Sequence, residues 1–110
     1  MLTSLSLSRH SLTDEGISTI CEAIKSNKDT KIASLDFRDN GVRTAGAHSL
    51  AAMMAVTGGL TSINLAFNEI KSLNGVVEAC PQLQRLAAAH NKIRSLPALN
   101  MLQHLFRVDL

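Results

Sequence analysis

The 110-residue sequence contains no tryptophan, no tyrosine and only three phenylalanines. Proteins that bind single-stranded nucleic acids usually stack bases on aromatic side chains beside a basic groove, so this composition argues against a nucleic-acid partner. The charge argues the same way, because 11 basic and 9 acidic residues leave a net charge of only +2. Lys25, Lys28 and Lys31 do cluster, but they lie beside Asp29 in a polar stretch that is typical of a solvated connection.

Cysteine and long apolar runs are also scarce. Cys21 and Cys80 lie far apart and form no C-x-x-C pair, so we interpret both as free thiols. Free thiols favour a cytoplasmic location, with the nucleus as the alternative, over the extracellular space. No segment has the pattern of a secretory signal or the apolar length of a membrane span, and we expect no membrane partner. The 45% hydrophobic and 18% charged residues are typical of one globular domain, spanning residues 1–110.

A repeated pattern is what the sequence does contain. Residues 60–70, LTSINLAFNEI, place apolar residues around a single asparagine in the order L-x-x-L-x-L-x-x-N-x-L. This order is the signature of the leucine-rich repeat, in which each coil contributes a β-strand and a helix or short helical turn. Copies of the pattern start near residues 2, 32, 60 and 83, and a partial copy starts near residue 105. Five parallel strands are therefore expected.

The segments between the copies predict two full helices followed by shorter returns. Apolar residues at helical spacing predict a first helix that begins at a Thr13 or Asp14 cap. Its inner face should carry Ile17, Ile20, Ala23 and Ile24. A second helix, with Gly46, Leu50, Met53 and Met54 inside, repeats this layout thirty residues later. The third return has room for one or two turns before Pro81, which should end it, and the three-residue spacing from Leu96 to Leu105 suits short helical turns.

On these motifs the whole chain resembles intracellular leucine-rich repeat proteins. The first two repeats are similar to the ribonuclease-inhibitor type, and the last three are similar to the shorter type found in phosphatase regulators. The resemblance implies an α/β fold: a right-handed horseshoe solenoid with a parallel β-sheet on the concave side and helices or short turns on the convex side. Because strands keep a spacing of about 4.8 Å, we expect the bulkier helices to give stronger curvature at the N-terminal end.

Asparagine at a fixed place in the repeat has a structural explanation. We expect Asn40, Asn68 and Asn91 to turn inward, where an amide both donates to and accepts from the backbone of neighbouring coils. His10 occupies the corresponding place in the first repeat and could substitute through a ring nitrogen. No second histidine or cysteine stands at ligand spacing from it, so the sequence predicts no metal site, and no motif calls for a cofactor.

Polar residues between the strand leucines should form one face of the sheet, because side chains alternate along a strand. The expected columns across the repeats are Ser4, Ser34, Ser62, Arg85, Arg107; Ser6, Asp36, Asn64, Ala87, Asp109; and Ser8, Arg38, Ala66, Ala89. Just past the strands lie Arg9, Asp39, Phe67 and His90. As candidates for binding a protein partner we select Asp36, Arg38, Asn64, Phe67, Arg85 and Arg107, since arginine and aromatic residues dominate binding hot spots. The alternative is a solvated face with Phe67 packed under the turn.

The sequence contains no nucleophile with a base, no paired carboxylates and no phosphate-binding loop at a recognisable spacing, so we expect no catalysis. It predicts a scaffold that binds a protein partner through its concave face. The resemblance leaves two alternatives open: a regulator of an enzyme, such as a GTPase-activating or phosphatase-regulating protein, and a structural segment of a larger repeat protein. Neither end of the sequence supplies a polar cap, which predicts either a longer parent protein or self-association through the uncapped ends.

Overall fold

Five short parallel strands lie where the repeat pattern predicts them. The computed structural model describes residues 4–27, 31–57, 59–79, 82–93 and 107–109. The strands form one sheet in chain order: β1 (Ser4–Ser6), β2 (Ser34–Asp36), β3 (Ser62–Asn64), β4 (Arg85–Ala87) and β5 (Arg107–Asp109). The register pairs the first residues of the strands in series, Ser4 with Ser34, Ser34 with Ser62, Ser62 with Arg85, and Arg85 with Arg107. The last residues of the strands pair in the same way, in the series Ser6, Asp36, Asn64, Ala87 and Asp109. Two of the predicted columns are thereby confirmed along the backbone.

Helices connect the first four strands, an arrangement that parallel pairing favours. They are α1 (Thr13–Ser26), α2 (Thr44–Thr57) and α3 (Asn74–Ala79). Helix α2 packs between the other two. Two helices of 14 residues followed by one of six confirm the predicted shortening over the first three repeats. Pro81 and the apolar series from Leu96 to Leu105 lie outside the described residues. None of the described helices has the length and hydropathy that a transmembrane span needs.

The core lies between the sheet and the helices, because the middle residues of β2, β3 and β4 point toward the helices. Leu35, Ile63 and Leu86 are each 1% exposed, while Leu5 on the edge strand is half-buried. Helix α2 buries all four residues that its spacing assigned to the core. Large aliphatic side chains therefore meet from both layers, and burying each one stabilises the fold by roughly 1.5 to 3 kcal/mol.

The buried stripe of α1 differs from the predicted one. Ile17, Cys21 and Ile24 are buried, Ile20 is half-buried and Ala23 is exposed. At about 100° per residue, Ala23 lies roughly 120° around the helix from Ile17 and so faces away from the core. The buried stripe of α1 therefore includes Cys21, which was not predicted, and excludes Ala23, which was.

The predicted cap of α1 is wrong, because Leu12 is the N-cap residue and no side chain caps this helix. The backbone N–H of Thr13 donates instead to the carbonyl of Asn40 at 2.8 Å. Oδ1 of Asp14 accepts the backbone N–H of Arg43 at 2.7 Å, immediately before α2. Thr13 and Asp14, the predicted caps of α1, thus form hydrogen bonds that join this helix to the following repeat.

Gly46 provides the space for this contact. A Cβ atom at residue 46 would lie 2.5 Å from Oδ1 of Asp14 and 2.9 Å from Cγ1 of Val42, closer than van der Waals contact permits. By contrast, a Cβ at Gly75 would lie 3.7 Å from its nearest neighbour, Cβ of Ala51. The glycine of α2 is therefore required by the approach of the preceding repeat.

The predicted bonds from Asn40, Asn68 and Asn91 to the backbone of neighbouring coils are confirmed, and we call this series the asparagine ladder. Oδ1 of Asn40 accepts from His10 N and Leu12 N at 2.9 and 3.3 Å, and Oδ1 of Asn68 accepts from Asn40 N and Val42 N at 2.9 and 3.0 Å. Nδ2 of Asn91 donates to the Leu65 carbonyl at 2.8 Å. Each amide therefore joins its own coil to the preceding one.

His10 does not take the asparagine role. Its side chain is exposed, whereas Asn40 and Asn68 are only 1% and 5% exposed. Its backbone N–H is the group that takes part in the ladder, by donating to Asn40. The imidazole is left outside the bend.

Candidate protein-binding face

The strand residues that alternate with the buried ones, together with the residues of the turns just past the strands, form what we call the polar sheet face. Its members are mostly polar: Ser4, Ser6, Arg9, Ser34, Asp36, Arg38, Asp39, Ser62, Asn64, Phe67, Arg85 and His90. The strand pattern puts leucine and isoleucine on the opposite face, against the helices. Charge of both signs lies on this face, with Asp36 and Arg38 half-buried and Arg85 exposed.

Asp36 and Asn64, two of the predicted binding residues, form similar hydrogen bonds within their own coils. Oδ1 of Asp36 accepts the N–H of Arg38 at 3.0 Å, and Oδ1 of Asn64 accepts the N–H of Ala66 at 3.0 Å. The second carboxylate oxygen of Asp36 accepts from the Ser6 hydroxyl at 3.4 Å. These side chains hold the backbone where it leaves the strand, which gives them a structural part irrespective of any partner.

The residues just past the strands share a left-handed backbone. Arg9, Asp39, Phe67 and His90 have φ angles of 61°, 57°, 58° and 58°, which is uncommon for residues other than glycine. Backbone N–H groups of the first three donate to carbonyls of the next coil, at 2.9, 3.0 and 2.9 Å. The same turn therefore recurs in the first four repeats and aligns these four side chains in one column.

Three of the side chains beside this turn form a stack across successive repeats. The rings of Phe67 and His90 have centroids 4.2 Å apart and planes inclined by 15°. Cζ of Arg38 lies 4.8 Å from the Phe67 ring centroid. Phe67 nevertheless remains 43% exposed, so the alternative in which it packs under the turn is wrong. We call these three residues the Arg38 stack.

Arg85 and Arg107 are neighbours in a different column. Their backbones pair directly between β4 and β5, and the Arg85 side chain is exposed. The side chain of Arg107 lies outside the described part of the structure. Of the six predicted residues, the structure brings Arg38 into contact with Phe67 and places Asp36 beside Asn64 and Arg85 beside Arg107 along the sheet.

Sequence reasoning selected Arg38 and Phe67 but missed His90 as their partner. The available signal was the column itself, since Phe67 and His90 occupy the same position in consecutive repeats, where coil stacking brings side chains together. Aromatic and imidazole rings at equivalent positions in consecutive repeats are therefore candidates for stacking.

A second cluster, also missed, lies beside the start of α2. Nε of Arg43 and Nζ of Lys92 approach the Glu69 carboxylate at 3.1 and 3.3 Å. Hydrogen bonds from both cations lower the pKa of Glu69, and the bond from Arg43 contributes more than the bond from Lys92. The adjoining cavity has a volume of about 350 Å³. Its lining consists of Arg43, Thr44, Ala45, Glu69, Lys71 and Lys92.

Groups able to support chemistry are few in the described residues. No cluster of three histidine, cysteine, aspartate or glutamate side chains among them could hold a metal ion. Burial raises the pKa of the free Cys21 thiol to about 12, with a smaller contribution from the charge of Glu22. Cys21 is therefore a protonated core residue at neutral pH rather than a nucleophile.

Comparisons with known proteins agree with this architecture. A family model described as Leucine Rich repeat matches residues 1–21. The solved structure of the Chaetomium Mex67:Mtr2 subunits is similar in fold, with a TM-score of 0.67 and 17% sequence identity. That similarity covers 96% of this chain and 78% of the other chain. No curated protein matches the sequence.

Proposed function

Because the chain is built of leucine-rich repeats, we propose that it is a non-catalytic module that binds a protein partner through the polar sheet face. The observation that supports this most strongly is the Arg38 stack, in which three successive repeats contribute to one partly exposed cluster. Arginine and aromatic residues in well-packed surroundings contribute most of the binding energy in protein interfaces. We infer that the stack is the centre of the binding site and that Arg85 and Arg107 extend it.

The proposal includes a horseshoe shape, with the polar sheet face on the concave side. Helices pack at separations of about 8 to 10 Å, whereas paired strands lie about 4.8 Å apart. Helices α1 and α2 therefore need more room along the solenoid than the strands β1 and β2 behind them, and the sheet should curve inward. A concave face would let one partner contact several repeats at once.

A face-directed triple variant tests the proposed function. Arg38→Ala, Phe67→Ala and Arg107→Ala would be combined, and the matched control would combine Arg43→Ala, Val56→Ala and Lys71→Ala, which remove similar chemistry from exposed positions away from this face. Partners would be captured from the source cell, identified by mass spectrometry and then titrated as purified proteins. Loss of Arg38 and Phe67 alone should weaken the binding of a specific partner by at least about a hundredfold, while the control should bind as the wild type does.

Unchanged affinity of the face variant would contradict the proposed function, provided that circular dichroism shows the variant to be folded. The same purified chain should be assayed with a panel of GTPases, because accelerated GTP hydrolysis would favour the enzyme-regulating alternative. That outcome would shift the function from scaffold to regulator.

A reducing compartment, the cytoplasm or the nucleus, belongs to the same proposal. Cys21 supports it, because its free thiol lies in the core among aliphatic side chains, where a disulfide is not part of the fold. Fluorescence microscopy of the tagged chain in its source cell would test this location. Accumulation in the secretory pathway would contradict it.

A further inference from the structure

Arg38 keeps its positive charge unpaired within the described residues. The ion pairs found there join Lys25 to Glu22 and join Arg43 and Lys92 to Glu69. Asp36 lies two residues away, but its carboxylate oxygens accept from the Arg38 backbone N–H and the Ser6 hydroxyl. The Arg38 guanidinium is held over the Phe67 ring instead. A guanidinium carries five N–H donors and no acceptor, so it retains donors for a group from outside.

Phe67 presents its edge rather than a face to that group. Both groups lie close to the ring, with the imidazole centroid 4.2 Å and the guanidinium carbon 4.8 Å from the Phe67 ring centroid. Arg38 comes from the preceding repeat and His90 from the following one, so they cover opposite faces. The exposed part of Phe67 is therefore mainly its ring edge, which carries partial positive charge.

His90 completes the same arrangement. Its ring is nearly parallel to that of Phe67 and its side chain is exposed. In either tautomer an imidazole offers at least one N–H donor. Because the guanidinium and the imidazole both lie against the Phe67 ring, their donor N–H groups lie close to an electropositive ring edge. Every member of the stack thus favours an electron-rich planar acceptor.

We propose that the Arg38 stack binds a carboxylate side chain in an acidic segment of the partner protein. This inference rests on the proposed function and specifies the chemistry of the partner. A carboxylate is planar and matches the fork of a guanidinium with two parallel hydrogen bonds. A nucleic acid fits less well, because both faces of Phe67 are already covered and no base can stack on them.

Short fluorescein-labelled peptides provide the test, with the full chain titrated by fluorescence anisotropy. One peptide alternates glutamate with leucine, a second replaces each glutamate with glutamine, and a third probe is a single-stranded oligonucleotide. The glutamate peptide should bind at least about tenfold more tightly than the glutamine peptide, since a charge-assisted bidentate pair is lost in the second. Arg38→Gln should abolish this preference. Lys71→Gln, which removes an exposed charge elsewhere, should preserve it.

Chemical shifts locate the site independently of affinity. In two-dimensional NMR spectra, the glutamate peptide should shift the Arg38 side-chain and His90 ring signals first. Equal binding of the two peptides, an unchanged preference in Arg38→Gln, or tighter binding of the oligonucleotide would each overturn the inference. The two failures are distinguishable. If the face-directed triple variant loses its protein partner while Arg38→Gln leaves the peptide preference unchanged, the proposed function stands and only the carboxylate inference fails. If the triple variant keeps its partner, the proposed function itself fails.

Discussion

Asn68 is the side chain on which the junction between the second and third repeats depends. Its Oδ1 accepts the backbone N–H groups of Asn40 and Val42 at 2.9 and 3.0 Å. Its Nδ2 donates to the carbonyls of Phe37, Leu65 and Ala66 at 3.1, 3.0 and 3.2 Å. The residue is only 5% exposed. An Asn68→Ala variant would therefore leave backbone groups without partners where little solvent can replace them.

The magnitude follows from counting the groups that become unpaired. The Leu65 carbonyl keeps its bond from Asn91, and the Ala66 carbonyl keeps its bond from the Asp39 backbone. Two N–H groups and the Phe37 carbonyl lose their partner. Each buried unpaired group costs roughly 1 to 3 kcal/mol, so with three such groups the free energy of unfolding should fall by about 3 to 9 kcal/mol. A domain of this size has only about 5 to 15 kcal/mol in total.

Asn91→Ala is the matched control, because it removes the same amide from a half-buried position. Its loss leaves the Ile70 N–H and the Ala88 carbonyl unpaired, while the carbonyls of Leu65 and Ala89 keep other donors. We expect a smaller loss, about 1 to 3 kcal/mol, because solvent reaches this site.

Urea unfolding followed by far-ultraviolet circular dichroism measures both variants, since the chain has no tryptophan or tyrosine to report by fluorescence. A loss below about 1 kcal/mol for Asn68→Ala would refute the assignment of unpaired groups, because a single lost hydrogen bond already costs that much. A larger loss for Asn91→Ala than for Asn68→Ala would refute the burial argument.

Three further predictions concern a glycine, a carboxylate and a thiol. Gly46→Ala should lower the free energy of unfolding by about 1 to 3 kcal/mol through overpacking, whereas Gly75→Ala should be tolerated; thermal unfolding compares them, and equal effects would contradict the steric argument. Because ion pairs lower the pKa of Glu69 below its ordinary 4.5, Glu69→Gln should reduce stability at neutral pH, and this deficit should disappear as acid protonates the wild-type carboxyl. A deficit that persists at low pH would show another cause. In a Cys80→Ser background, Cys21 should resist a thiol reagent at pH 8 until urea is added; rapid reaction of the folded protein would contradict its burial.

The strands and the ladder could be predicted because the pattern that specifies them is written several times. Alternating apolar residues in β2, β3 and β4 give one inward face, and a one-residue slip would expose that whole face, so the register has little freedom. Asn40, Asn68 and Asn91 then fall at equivalent places without further assumptions. Repetition turns a weak signal at one site into a specific one.

The start of α1 could not be predicted in this way, because local and tertiary hydrogen bonds compete there. Thr13 and Asp14 are good capping residues by local rules. In the folded chain, however, Asp14 accepts from Arg43 and the Thr13 N–H donates to Asn40. Each bond joins residues of different repeats. Local propensity therefore identified Thr13 and Asp14 as residues that form hydrogen bonds at the start of α1. It did not identify their partners, Asn40 and Arg43.

The stack depends on the backbone of the turn, which the sequence signals weakly. Left-handed conformations are easiest for glycine and are enriched in asparagine, aspartate and histidine, yet Arg9 and Phe67 adopt them as well. Their N–H bonds to the next coil favour this conformation over the ordinary preference of the residue. Composition alone therefore could not indicate that Phe67 would be turned outward and aligned with His90.

The turn also explains how one fold can separate stability from recognition. The asparagine five residues after the inward residue of the strand closes the bend with buried bonds, and Asn40 and Asn68 do so in the same manner. The residue immediately before this asparagine bonds to the next coil through its backbone N–H. Its side chain therefore takes no part in closing the bend. This position holds Arg9, Asp39, Phe67 and His90 in the four repeats. The backbone geometry is constant there while the side chain differs, and the binding preference of the face should therefore change with substitutions in this column more readily than stability does.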